Sequence, residues 1–184
     1  MSSKVEKWRR WIDVVGSQIQ CMLVKQDTHN TIFRVVSENN KLHQHNLLYD
    51  HLFHTYMSYI AVGLRRQLKV NNSSISLRGL LLDMSENINA LADTPINKVA
   101  INNDIEKLLQ ASQAIEDYVD KRLAHTDKRE IKVMPSPNEI DECINLIKDL
   151  HKKYNSALKG EDVELMPAIY DWTDIFHIQW IQEK

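Results

Sequence analysis

Glycine and proline are so rare in this chain that its structural elements have to be long. Four glycines (Gly16, Gly63, Gly79, Gly160) and four prolines (Pro95, Pro135, Pro137, Pro167) punctuate 184 residues. Strands run about 5–6 residues and need frequent turns, so long stretches without a breaker read as helices. The apolar pattern agrees. Val5, Trp8, Ile12, Val15, Ile19 and Leu23 recur every three or four residues and predict a helix from about Ser3 to Gln26. A break is expected near Asp27–Asn30, with a short helical continuation from Thr31 to Glu38.

A second long helix is expected over about Lys41 to Lys69, with Leu48, Leu52, Tyr56, Tyr59, Ile60 and Gly63 marking its buried side. Val70 to Ser74 reads as a polar loop, and Ser76 as the N-cap of a short helix, Leu77 to Asn87. After a turn at Asp93-Thr94-Pro95, a helix starting between Pro95 and Asp104 and ending near His125 presents Ile101, Ile105, Leu108, Ser112, Ile115 and Val119 as its inner face. Ser136-Pro137-Asn138-Glu139 combines an N-cap serine, proline at the first helical position and a glutamate placed for a capping box. The helix it opens should reach Lys159, with Gly160 as the terminating residue. A last short helix, about Trp172 to Gln182, is expected after Pro167, with Asp171 as its cap. The expected architecture is all-α: one up-and-down bundle of about five to six helices, with residues 161–184 as a C-terminal appendage.

Composition narrows the function classes. With 43% hydrophobic and 26% charged residues, the chain has an ordinary globular make-up. A net charge of −2 disfavours coating nucleic acid by bulk positive charge, though a local basic patch remains open. Cys21 and Cys143 carry no pairing motif and read as buried free thiols in a reducing compartment. Charges stand where a signal peptide would have its apolar core, and the longest apolar stretch, Tyr56 to Leu64, falls far short of the ~20 residues of a membrane helix. A cytoplasmic protein with no membrane partner is expected.

The chemistry concentrates in Asp117-Tyr-Val-Asp-Lys-Arg-Leu-Ala-His-Thr-Asp-Lys-Arg129. On a helix, Tyr118, Lys121, Arg122 and His125 share an edge. Neighbouring cations disfavour a charged imidazole, while Asp127 and the helix C-terminus favour it, so His125 is suited to proton transfer near neutral pH. Lys121, Arg122, Lys128 and Arg129 are placed to hold a phosphodiester beside it. The plainer reading is a histidine and cations that cap a helix C-terminus. Arg65 and Arg66 have the same two readings: cations for the site, or dipole and salt-bridge partners, with Asp83 or Glu86 as their carboxylates. A cluster of histidines between His43 and His54 has His43, His51 and His54 on one stripe, which Arg65 continues. His51 and His54 are spaced to chelate one ion, but His43 lies roughly 12 Å further along the axis, so these three cannot form one metal site. They read better as helix-face histidines. Were their stripe to face His125, one cleft would gather histidines and an arginine. No Gly-rich phosphate loop, nucleophile elbow or HExxH motif occurs, and no cofactor is expected.

The stretch Asp120-Lys-Arg-Leu-Ala-His125-Thr-Asp127 resembles the "DK-x-x-AH-x-D" signature of HEPN-type proteins, in particular the abortive-infection HEPN-like family. Arg65-Arg66-Gln67 followed by Ser76-Leu77-Arg78-Gly79-Leu80-Leu81 is similar to that family's "RRQ … SL-x-x-LL" segment, and Tyr170-Asp171-Trp172 with Ile175-Phe176 also fits. The resemblance touches positions from about 56 to 181. It implies an antiparallel helical bundle that is usually a homodimer, with histidines of two subunits facing one cleft. It also implies metal-independent RNA cleavage in phage defence or a toxin–antitoxin setting, with RNA as substrate and an antitoxin or other protein as partner. His125 would then handle a proton, with Arg122 and Asp120 beside it and Lys121, Arg65, Arg66, Lys128 and Arg129 on the RNA phosphates. The chain departs from the family at one point. Active members carry an arginine, then four to six residues, then the histidine; the corresponding positions here are Tyr118, Val119 and Asp120. Since a polar residue commonly follows that arginine and Asp120 matches it, Val119 falls in the arginine's place. A non-catalytic interaction or regulatory module of the same fold is the alternative expectation.

Overall fold

The computed structural model describes residues 3–39, 47–71, 73–92, 94–120, 135–167 and 173–174. It is an all-helical bundle. The helices are α1 (Ser3–Glu38), α2 (Leu47–Leu68), α3 (Leu77–Glu86), α4 (Lys98–Tyr118) and α5 (Pro137–Lys159), with a 3-10 turn at Ile88–Leu91. α1, α2, α4 and α5 pack in a ring, each against the next, and α3 closes one end against α4, α1 and α2. Among the described residues, strand pairing is limited to one isolated bridge, Asn71 to Ser74. No described helix is long and apolar enough to cross a membrane.

The apolar periodicity of the sequence explains most of this packing. Trp8, Ile12, Val15, Ile19 and Leu23 are all buried, as are Ile101, Ile105, Leu108, Ser112, Ile115 and Val119 on α4. The predicted caps at Ser76 and Ser136 also form, while the one at Asp171 lies outside the described residues. The Ser76 side chain accepts from the Gly79 amide, and Ser136 and Glu139 complete a capping box under Pro137. Gly160 ends α5 at φ 74°, in the left-handed region that a side chain disfavours.

Three expectations are corrected. First, α1 does not break at Asp27–Asn30 but runs unbroken for 36 residues. Thr28 hydrogen-bonds back to the Val24 carbonyl, and His29 stacks on Tyr56 with ring centroids 4.0 Å apart. The weak helix formers cost only a few tenths of a kcal/mol each, which such packing overrides. Second, the buried side of α2 is only partly the expected one: Ile60 is buried and Tyr56 packs against the core as expected, but the rest of the face is turned. Met57, Ile60, Ala61, Leu64, Gln67 and Leu68 are buried, whereas Leu48 and Tyr59 are exposed. Third, Cys143 is buried but Cys21 is exposed; both are free thiols. The expected segment Lys41 to His45 and the short helix from Trp172 lie outside the described residues, apart from Thr173 and Asp174.

Two polar anchors tie the ring together. On α3, Asp83 accepts from Lys7 and from the Trp8 indole, each at 2.7 Å, which fixes the fully buried tryptophan to α3. This removes Asp83 as the partner of Arg65 or Arg66. On α4, buried Asp104 accepts from Lys153 at 2.5 Å and from the Tyr154 hydroxyl at 2.9 Å, both on α5. Burial pushes the Asp104 carboxyl up, but these hydrogen bonds and the charges of Lys153 and Lys107 outweigh it and hold the group below its ordinary value.

Candidate functional site

The candidate site is built where the last turn of α2 meets the end of α4. The C-terminal turn of α2 ends in Arg65-Arg66-Gln67-Leu68, and neighbouring residues on a helix point about 100° apart. The three polar side chains therefore go to three different places. Gln67 turns inward, is buried, and accepts from the Leu77 amide at the start of α3 while its own amide donates to Gln18. Arg66 turns toward α1 and lines a cleft with Gln18, Cys21 and Tyr59. Arg65 turns toward α4 and forms an ion pair with Asp120.

The α4 side of this contact follows from helix geometry too. Val119 continues the inner face of the helix and is 4% exposed, so this position belongs to the core. Asp120, one residue on, is half-exposed and meets the Arg65 guanidinium, which is 22% exposed. α2 thus delivers an arginine to the end of α4. The pair carries a cation and a carboxylate to a point five positions before His125. Lys121, Arg122, His125, Lys128 and Arg129 lie outside the described residues.

Of the residues singled out from sequence, the structure brings Arg65 and Asp120 together and sends Arg66 to another face. His51 and His54 are exposed on the first turns of α2, and the His54 ring stands edge-on to Phe53 at 5.8 Å. His43 lies outside the described residues. Among the described residues, no group of three or more histidines, cysteines and acids is placed to hold a metal ion. Sequence reasoning missed the Arg65–Asp120 pairing and the exposure of Cys21. The second had a signal: Cys21 sits between Ile19 and Leu23, off the apolar stripe. The first had none, because it depends on how two distant helices cross.

A separate polar cleft between α1 and α5 holds His151. Its Nε2 donates to the Ile12 carbonyl at 3.2 Å, and its Nδ1 is buried without a hydrogen-bond partner among the described residues. Gly16 makes this approach possible, since a Cβ there would stand 2.6 Å from Nε2. Burial holds the His151 pKa below its ordinary 6.5, against the Ile12 hydrogen bond and Asp13, which raise it, while Lys159 lowers it further. His29 is lowered as well, by burial, with Asp141 opposing. The unfolded chain therefore binds protons that the folded chain refuses as pH drops below about 6.5, and stability should fall there with a slope of up to ~1.4 kcal/mol per pH unit for each proton. Denaturant unfolding between pH 7.5 and 5 checks this, and His151→Leu is expected to flatten part of the slope while His29 retains the rest.

Comparison with family models, with curated proteins and with solved structures gave no match to this chain.

Proposed function

We propose that this chain is a HEPN-like RNA-handling protein, a metal-independent endoribonuclease acting in phage defence or as a toxin, in which Arg65 takes the place of the arginine that Val119 lacks. The observation that carries this reading is the Arg65–Asp120 ion pair. It joins the two stretches, far apart in sequence, on which the family resemblance rests, and it sets a guanidinium against Asp120, five positions before His125 in the sequence. The rest of the second stretch has a structural role that supports the same placement: Gln67 and Ser76 together cap the start of α3 and so fix the end of α2 from which Arg65 projects.

In this reading the ribose 2′-hydroxyl attacks the adjacent phosphorus. The new O2′–P bond forms as the P–O5′ bond breaks, leaving a 2′,3′-cyclic phosphate and a 5′-hydroxyl. His125 takes the 2′-hydroxyl proton, and a second histidine, supplied across a homodimer, protonates the leaving oxygen. Arg65 and Arg122 stabilise the charge that builds on the phosphate oxygens. Lys121, Lys128 and Arg129 hold the flanking phosphates. No metal or cofactor takes part.

One observation favours the second reading, a non-catalytic module of the same fold: Asp120 already neutralises Arg65, so RNA phosphate has to compete for the guanidinium. Incubating total cellular RNA with the purified protein in EDTA, beside His125→Ala, separates the two. The ribonuclease reading expects cleavage that disappears in the variant. A folded protein that leaves RNA intact, or a variant that cleaves as well as the parent, contradicts it.

A further inference from the structure

The outer face of the α1–α2 pair carries a groove whose floor is apolar and whose rim is cationic. Val14, Cys21, Met22, Tyr59 and Gly63 line it, and the cleft encloses about 420 Å³. Val14 is 38% exposed, Tyr59 45% and Val62, one turn from Tyr59, 50%. Gly63 lets the two helices close, since a Cβ there would stand 2.8 Å from the Met22 sulfur, and methionine makes an adaptable floor.

Three cations border this surface. Arg66 lines the groove itself. Lys25, one turn beyond Cys21, lies 5.9 Å from the Tyr59 ring centroid. Arg10 sits one turn before Val14, so Arg10 and Lys25 are separated by roughly 22 Å along α1. Arg10, Lys25 and Arg66 are all exposed, and among the described residues none of them has a carboxylate partner. The other lysines of α1 are spoken for: Lys4 bonds Asn87 and Lys7 bonds Asp83.

From this combination we infer that the α1–α2 groove is a docking site for an amphipathic helix of a protein partner, about 15 residues long, with a stripe of apolar side chains and acidic residues at its flanks. Apolar residues at i, i+3/i+4 and i+7 fill the groove, and the acids meet Arg10, Lys25 and Arg66. A second copy of this chain fits poorly, because two such faces would set arginine and lysine against arginine and lysine. The inference does not rest on the ribonuclease reading, since Arg66 and Arg65 leave α2 on different sides.

Cys21 supplies the reporter. It is exposed, whereas Cys143 is buried and its thiol is pushed up to about 12 by burial and by Glu116, so a maleimide fluorophore should label Cys21 alone. The full chain, immobilised, is panned against a displayed library of random 16-residue peptides. The expected winners combine helically spaced apolar residues with aspartate or glutamate at both ends. They shift the Cys21 fluorescence, and their binding falls at least tenfold in Tyr59→Ala and in Arg66→Glu, whose unchanged thermal unfolding shows them folded. No enrichment overturns the inference, as do winners that bind the two variants as tightly as the parent. A twelve-nucleotide oligouridine that shifts the Cys21 signal and loses binding in Arg66→Glu would assign the groove to nucleic acid and overturn it also.

Discussion

Asp104→Ala is expected to lower the unfolding free energy by about 3 kcal/mol, the range seen when one partner of a buried charged network is removed. The carboxylate is only 6% exposed and is the shared acceptor of Lys153 and the Tyr154 hydroxyl. Its loss leaves a buried phenol without a partner and opens a void between α4 and α5. In a domain of this size that corresponds to a fall in Tm of roughly 6–12 °C. Asp104→Asn keeps the shape and one acceptor and should cost less. The folded-state carboxyl is held below its ordinary value of 3.8, so its contribution is present above that pH and is lost as pH falls through the lower folded value. The gap between wild type and Asp104→Ala should therefore be full at pH 6 and should narrow below pH 3.8. Denaturant titrations at the two pH values check both the size and the sign.

On the proposed ribonuclease reading, Arg65→Ala is expected to reduce RNA cleavage by about 10²–10³-fold, the usual effect of removing one preorganised charge from a transition state. The same change should barely alter stability. Arg65 and Asp120 are both partly exposed, 22% and 50%, and such a pair contributes at most ~1 kcal/mol. Arg65→Lys should recover only part of the activity, because a point charge replaces a planar fork. Asp120→Asn frees the guanidinium and, in this account, tightens RNA binding. Single-turnover cleavage of a short RNA, with unfolding curves for each variant, distinguishes a lost charge from a lost fold. Cleavage that is untouched in a folded Arg65→Ala would remove this arginine from the site.

What the sequence makes legible is local. The caps at Ser76 and Ser136, the turn at Gly160 and the inner face of α4 are written in residues within one or two turns of each other, and the structure has them where the pattern puts them. Three features escape such reading because tertiary contacts decide them. The weak helix formers from Asp27 to Asn30 stay helical because His29 is stacked on Tyr56 of another helix. The buried face of α2 is set by the helices on either side of it, which cover Met57, Ala61 and Leu64 and leave Tyr59 in solvent. The partner of Arg65 is chosen by the crossing of α2 and α4, while Asp83, the nearer carboxylate in sequence, is occupied by Lys7 and Trp8. The candidate site shows the same division. The cluster of cations and acids around His125 is visible in the sequence, and so is Val119 on the apolar face of its helix. The arginine that approaches from α2 can be found only once the helices are packed.

The measurement that bears most directly on the proposed function compares one RNA oligonucleotide with its twin carrying a single 2′-deoxy position, in EDTA, at the bond the protein cuts. On the proposed reading the RNA is cleaved to a 2′,3′-cyclic phosphate and a 5′-hydroxyl, the deoxy twin stays intact at that bond, and His125→Ala cleaves neither. Cleavage of both oligonucleotides, cleavage that requires an added divalent metal, or an intact RNA in the presence of folded protein would contradict it.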